Sequence, residues 1–208
     1  MASTIDAAKL ERVLGKTFKR AKGADWKSAD NFETTSFADW HNGFKEDGEF
    51  IVIYFAAHWS PPCRLVSSIL KSEFYDKVNV DGKKIAEVIF CTDDQKKHLW
   101  ERNLSIGVQV GDEDKFEHMP WWSMPFEPEE EDQKPLINNL KARFGITEMP
   151  IVVVCEARNL RLVTFYGRKD IKDGMDAIKR WRVERTERYP EDYPKAAGEE
   201  EKKEEEKE

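Results

Sequence analysis

Ser60 and Cys63 stand three residues apart in Trp59-Ser60-Pro61-Pro62-Cys63-Arg64, and the run that leads into them says where they sit. The apolar, β-branched and aromatic segment 51–56 reads as a buried central strand. It breaks at Ala57-His58-Trp59, and Ser60-Pro61-Pro62-Cys63 then opens a helix. Ser60 is a good N-cap, since its hydroxyl can accept from a free backbone N–H of the first turn. Pro61 suits the first helical position, where a missing N–H costs nothing. Cys63 falls in the first turn, near the positive end of the helix dipole, where a thiolate is favoured. Arg64 beside it adds positive charge. The chemistry on offer is that of a single cysteine: nucleophile, glutathionylation site or redox sensor.

A strand running into a helix that starts Trp-x-Pro-Pro-Cys-Arg resembles the redox site of the thioredoxin superfamily, and most closely its tryparedoxin and nucleoredoxin branch, whose motif is Trp-Cys-Pro-Pro-Cys-Arg. Two further segments follow in the family's order: Met119-Pro120-Trp121 with Pro125-Phe126 after it, and Met149-Pro150 before a strand. The resemblance covers roughly residues 14–181 and implies a thioredoxin-like three-layer α/β/α sandwich, with a central mixed sheet and an N-terminal β-hairpin. It implies a protein-disulfide reductase, with Pro150 cis opposite the cysteine motif. Trp59, Pro61, Pro62, Arg64, Met149, Pro150 and Trp121 would then border a client groove.

One position departs. Ser60 stands where the family has its first cysteine. That cysteine is the thiolate that attacks a client disulfide, and a second, one turn on, resolves the mixed disulfide. A serine hydroxyl forms no mixed disulfide, so the dithiol cycle cannot run. Cys63 is then either an altered one-cysteine centre or a shielded thiol whose burial blunts it. The resemblance weighs toward shielding, because active one-cysteine relatives keep the first cysteine. Two functions follow: an oxidoreductase with reduced or altered activity, or an inactive thioredoxin-fold binding or scaffold module in a larger assembly. The implied partners are a client protein with a disulfide or an extended segment, a peroxiredoxin among the candidates, and a low-molecular-weight dithiol or glutathione.

The elements that must position this site read off in order. Residues 5–14 form a short amphipathic helix, within an N-terminal extension over 1–13. Residues 16–27 suit a hairpin turning near Lys22-Gly23, with Phe18 and Trp26 as strand residues, and 36–45 a helix with Phe37, Trp40 and Phe44 on one face. The site helix carries Leu65, Val66, Ile69, Leu70, Phe74 and Tyr75 as an apolar stripe. A strand over 84–91 and a helix over 94–104 follow, the latter capped by the Asp93-Asp94 pair. Residues 105–118 read as an insertion loop. A helix over 134–144, a strand pair over 151–155 and 162–166, and a last helix lined by Ile171, Met175, Ile178 and Trp181 close a domain over 14–188. The Pro-, Glu- and Lys-rich stretch 189–208 reads as a disordered acidic tail.

Composition narrows the class. Aromatics at 12% and hydrophobics at 39% suit a folded protein despite 36% charged residues. Of the net charge of −7, the seven Glu and three Lys of residues 199–208 supply −4, so the body is near −3 and nothing points to nucleic acid. No apolar run spans a membrane and no signal-peptide core opens the chain, so the expectation is no membrane partner and a cytoplasmic setting. Cys63, Cys91 and Cys155 lack metal-site spacing. Cys91 and Cys155 read as small buried hydrophobes, and no cofactor is called for.

Overall fold

The computed structural model describes residues 7–111, 115–126 and 136–193. Helix α1 (Ala7–Leu14) leads into β1 (Thr17–Ala21), β2 (Phe32–Ser36) and α2 (Phe37–Asn42). The central strand β3 (Phe50–Ala56) gives onto α3 (Pro61–Ile69), which runs through a π-type turn at Leu70–Tyr75 into α4 (Asp76–Val78). Then come β4 (Ala86–Thr92), α5 (Lys97–Ile106), the short strands β5 (Val108–Gln109), β6 (Phe116–Glu117) and β7 (Trp122–Ser123), and α6 (Leu136–Phe144). Strands β8 (Ile151–Glu156) and β9 (Leu162–Thr164), α7 (Gly167–Asp170) and α8 (Met175–Arg188) complete the order.

Seven strands form one mixed sheet in the order β2-β1-β7-β4-β3-β8-β9. β3 lies at its heart, parallel to β4 and antiparallel to β8. Every residue of β3 is buried, as a strand covered on both faces requires. Alternation then sorts the side chains. Val52, Tyr54, Val88, Phe90, Val152 and Val154 pack with Leu70, Phe74, Ile178 and Trp181 on one face. Ile51, Ile53, Phe55, Ile89, Val153 and Cys155 pack with Leu10, Leu14, Trp40 and Phe144 on the other. Helices α1, α2 and α6 thus cover one side and α3, α5 and α8 the other, which is the three-layer sandwich expected.

Local expectations fail in instructive places. The N-terminal hairpin pairs 17–21 with 32–36, so its connection is ten residues long and Trp26 lies in that loop, not in a strand. Trp26 is held there by cations, with Lys27 5.4 Å and Arg102 5.9 Å from the ring centre. The 105–118 stretch is not a bare loop: β5 and β6 pair across it, and the Gln109 N–H donates to Ser68 Oγ at 2.9 Å, tying this hairpin to α3. Leu65 falls off the apolar stripe, 64% exposed. Asp93 and Asp94 do not cap α5, whose N-cap position is Lys96.

Residues 189–193 are no free tail either. The Tyr189 hydroxyl donates to the Leu162 carbonyl at 2.8 Å under the Arg161 guanidinium, and Tyr193 lies under Arg158 and Arg185 with its hydroxyl on Glu156. A polar composition hid two aromatic anchors with arginine partners. The acidic residues beyond 193 lie outside the described residues.

Trp181 is the keystone of the α8 face. It is fully buried, packs on Phe50 and Phe74 at 5.5 and 5.1 Å between ring centres, and donates Nε1–H to Asp170 at 2.9 Å. Trp181→Ala should cost about 3–5 kcal/mol, seen as a lower urea midpoint at unchanged slope. A loss below about 1 kcal/mol would show that the face can collapse around the vacancy.

Candidate functional site

The site is built where β3 ends. The register pairs Phe55 with Ile151, so Pro150 comes opposite Ala56, at the point where the chain leaves the sheet for the turn over 57–60. The Met149–Pro150 bond is cis, as the resemblance implied. Pro150 is buried, and half-buried Met149 packs against the apolar clusters of both faces, as a residue at the sheet's end can. Trp59 projects from the turn, 59% exposed.

Ser60 does occupy the N-cap position of α3, with extended backbone (φ −96°, ψ 109°), but its hydroxyl makes no capping bond. The cap is made by backbone instead. The Cys63 N–H donates to the Ser60 carbonyl at 3.0 Å, and the Ser60 N–H to that of Ala57 at 3.3 Å. Prolines at the first two helical positions leave few N–H groups to satisfy, which is why the hydroxyl is dispensable. Ser60 is 6% exposed and Cys63 1%; Pro61 and Pro62 are exposed and Arg64 half-buried.

Two buried polar groups hold the helix start: Tyr54, which was not singled out from the sequence, and Asp94, which was read there as a helix cap. The Tyr54 hydroxyl donates to the Cys63 carbonyl at 2.6 Å and lies 3.0 Å from Ser67 Oγ, so the central strand grips the first turns of α3. Burial pushes the phenol far above its ordinary range. Asp94 is the second. Its Oδ1 accepts from the His58 N–H at 2.8 Å and its Oδ2 from the Thr92 hydroxyl at 2.8 Å. Burial, the largest influence, leaves the Asp94 carboxyl titrating above its ordinary value. Arg64 closes the turn from the other side by donating to the His58 carbonyl at 2.9 Å. A signal for Tyr54 was present: a polar-tipped aromatic in a buried strand must find a partner.

One expected site residue is placed differently. Trp121 is fully buried, packed edge-on against Tyr54 and Tyr75 at 6.5 and 5.8 Å between ring centres. It supports α3 from beneath and borders no groove, because the ring fills the space between the sheet and the site helix. The other two thiols lie on the far side of the sheet: Cys63 belongs to the α3 cluster, Cys91 and Cys155 to the opposite one. All three are free, and burial raises the Cys91 and Cys155 thiols, the latter to about 12. No metal-binding group of His, Cys, Asp and Glu occurs among the described residues, and no helix there is long and apolar enough to cross a membrane.

Fold and site together describe a thioredoxin-type domain: a mixed sheet whose central strand delivers a cysteine to the first turn of a helix, next to a cis-proline. The family model described as thioredoxin-like matches residues 48–159, a span that holds every residue above, and the chain belongs to that family. Among individual proteins, it is 28% identical to nucleoredoxin of Danio rerio over 130 residues, 62% of this chain and 26% of that protein. It is 31% identical to tryparedoxin of Trypanosoma brucei brucei over 110 residues, 53% of this chain and 62% of that one. The chain thus spans only about a quarter of the length of the nucleoredoxin it matches. The solved structure of tryparedoxin II from C. fasciculata superposes with a TM-score of 0.58 at 18% identity, covering 83% of this chain and 93% of that one, a likeness of fold.

The electrostatics of the turn have a measurable consequence. Burial, with Arg102 and Arg64 nearby, lowers the His58 pKa to about 4 from 6.5. The unfolded chain therefore binds a proton that the native state refuses between those values, so this group's stabilising contribution is present above 6.5 and lost as pH falls toward 4. His58→Gln should flatten that part of a plot of urea midpoint against pH. Asp94 works in the opposite sense: its raised folded value favours the native state at low pH, and that contribution is lost as pH rises through it. Asp94→Asn should remove this dependence while keeping an acceptor for the His58 N–H. Asp94→Ala leaves the donor unpaired and should cost about 1–3 kcal/mol.

Proposed function

We propose that this chain is a thiol–disulfide exchange domain acting on protein disulfides through Cys63 alone, with Ser60 at the position of the family's first cysteine and activity reduced or altered accordingly. The observation that carries the reading is the placement of Cys63: first turn of α3, beneath the turn over 57–60, at the sheet end that holds cis-Pro150, with no second thiol on its side of the sheet. The exchange is written with one protein sulfur. The Cys63 thiolate attacks one sulfur of a client disulfide, forms the mixed disulfide and expels the other client sulfur as a thiolate. A thiolate of glutathione or another small thiol then attacks the client sulfur of that mixed disulfide, which releases Cys63 and leaves the client joined to the small thiol. The exposure of Cys63, 1%, makes the first step slow in this reading, since the atoms over the thiol must move aside before a client sulfur can approach in line.

The groove for the client is bordered by Trp59, Met149 and Pro150 in this reading, with Pro61, Pro62 and Arg64 on the helix side. The partners are a client protein, a peroxiredoxin among them, and glutathione or a small dithiol; the setting is the reducing cytoplasm.

The decisive comparison is Ser60→Cys against the parent in dithiothreitol-driven reduction of insulin or a peroxiredoxin. The parent should be slow, Ser60→Cys faster on the order of tenfold or more, and Cys63→Ala in the parent background inactive. If Ser60→Cys leaves the rate at the parent's level, the site has lost more than its nucleophile and the exchange reading falls to a binding role.

A further inference from the structure

Beside the site, two arginine side chains have no carboxylate partner among the described residues. Arg64 lies against the His58 carbonyl at 2.9 Å. Arg102, on α5, is exposed and stands over Trp26 at 5.9 Å, and its charge reaches His58. Lys27 approaches the same tryptophan ring at 5.4 Å. Neither Arg64 nor Arg102 has a carboxylate at ion-pair distance among the described residues, whereas Arg20, Arg158, Arg161, Arg180, Arg182 and Arg185 all do. The acids of the neighbourhood are already engaged: Asp93 with Lys141, Glu101 with Lys19, Asp94 buried on Thr92 and the His58 N–H. Asp25 accepts from the backbone N–H of Lys27 at 3.3 Å. Between the arginines, the imidazole of His58 keeps Nδ1 buried and without a partner.

We propose that the face formed by Trp26, Arg102, His58, Arg64 and Trp59 docks an acidic, extended segment of the client protein. The inference deepens the reading of the site above and rests on it. Its support is charge. The body of the chain is near −3, so a pair of guanidinium groups with no carboxylate partner among the described residues offers a local attraction to acid on a surface of weak opposite net charge. The shape of the face selects the occupant. The cations are threaded between two aromatics, from the N-terminal loop to the active-site turn, an arrangement that suits a chain carrying carboxylates at intervals. Arg102 supplies a planar fork for a carboxylate, and exposed Trp59 supplies apolar area next to the thiol.

The test is fluorescence anisotropy on the full chain. The probes are a labelled peptide in which Asp and Glu alternate with Leu and Ala, the same peptide with Lys for every acid, and a thymidine oligonucleotide. The acidic peptide should bind with an affinity that falls as salt rises, Arg102→Glu should weaken it on the order of tenfold, and the Lys peptide should not bind. Arg102→Gln, milder in charge and equally exposed, should give a smaller loss in the same direction; circular dichroism on both variants confirms that they are folded. Equal binding of the Lys peptide, tighter binding of the oligonucleotide, or an affinity unchanged by Arg102→Glu would overturn the docking face. That failure is separable from failure of the exchange chemistry: the first leaves the gain of Ser60→Cys in insulin reduction intact, and the second abolishes that gain while peptide binding still follows charge.

Discussion

The pairing of β3 on both edges, with β4 parallel on one side and β8 antiparallel on the other, is the constraint from which the site follows. A strand buried on both faces and hydrogen-bonded along both edges has one fixed end point, here Ala56. Because β8 runs the opposite way, its beginning meets the end of β3, and the cis-proline before β8 is brought to the start of α3 without any loop having to reach for it. The parallel neighbour acts at the same end: β4 finishes at Thr92, so Asp94 emerges beside the turn and can take the His58 N–H. Three segments far apart in sequence meet at one point because their strands terminate on one line.

What holds the helix start to that point is polar, and the burial makes it strong. A hydroxyl and a carboxylate placed in an apolar interior cost several kcal/mol unless each finds a partner. Tyr54 and Asp94 find theirs on backbone groups of the turn and the helix, so they fix the main chain and leave the Cys63 and Ser60 side chains free of that duty. The side chain at position 60 is therefore decoupled from the geometry of the turn. With backbone caps and two prolines doing the work of an N-cap, a serine there is not required by the fold.

Most of this architecture was legible in the residues. The β-branched run before Trp59 gave the central strand, the spacing of Phe37, Trp40 and Phe44 gave α2, and the Gly- and Pro-marked boundaries gave the last elements. The failures share a cause. Trp26, Leu65 and the Asp93-Asp94 pair were assigned from local pattern and Trp121 from the resemblance, and each was decided by something distant: an arginine on α5, a helix whose rotation brings Leu65 to solvent, a backbone N–H across the site, and packing of the Trp121 ring against Tyr54 and Tyr75. The short β5–β6 pair escaped because two residues a side give no period to read. Tyr189 and Tyr193 escaped because composition describes an average, and two rings among acids and lysines are enough to anchor a few residues.

The division of thiols across the sheet limits the redox states open to the molecule. A disulfide requires Cα atoms within about 7 Å and Cβ vectors that point toward each other, whereas Cys63 packs on one face of the sheet and the Cys91 and Cys155 side chains point to the other. Cys63 cannot reach Cys91 or Cys155 without dismantling β3 or its neighbours, the most buried strands of the fold. Cys91 is further engaged with the Met124 sulfur at 3.4 Å. Any oxidised form of Cys63 in an intact fold is consequently a bond to something outside the chain, and its resolution must come from outside as well. A two-cysteine relative closes its own cycle within one helical turn; here the second sulfur has to be delivered. In the exchange proposed for Cys63, control of turnover would lie in how a partner seats against the turn over 57–60, where Tyr54 and Asp94 hold the backbone and Arg64 lies on the His58 carbonyl.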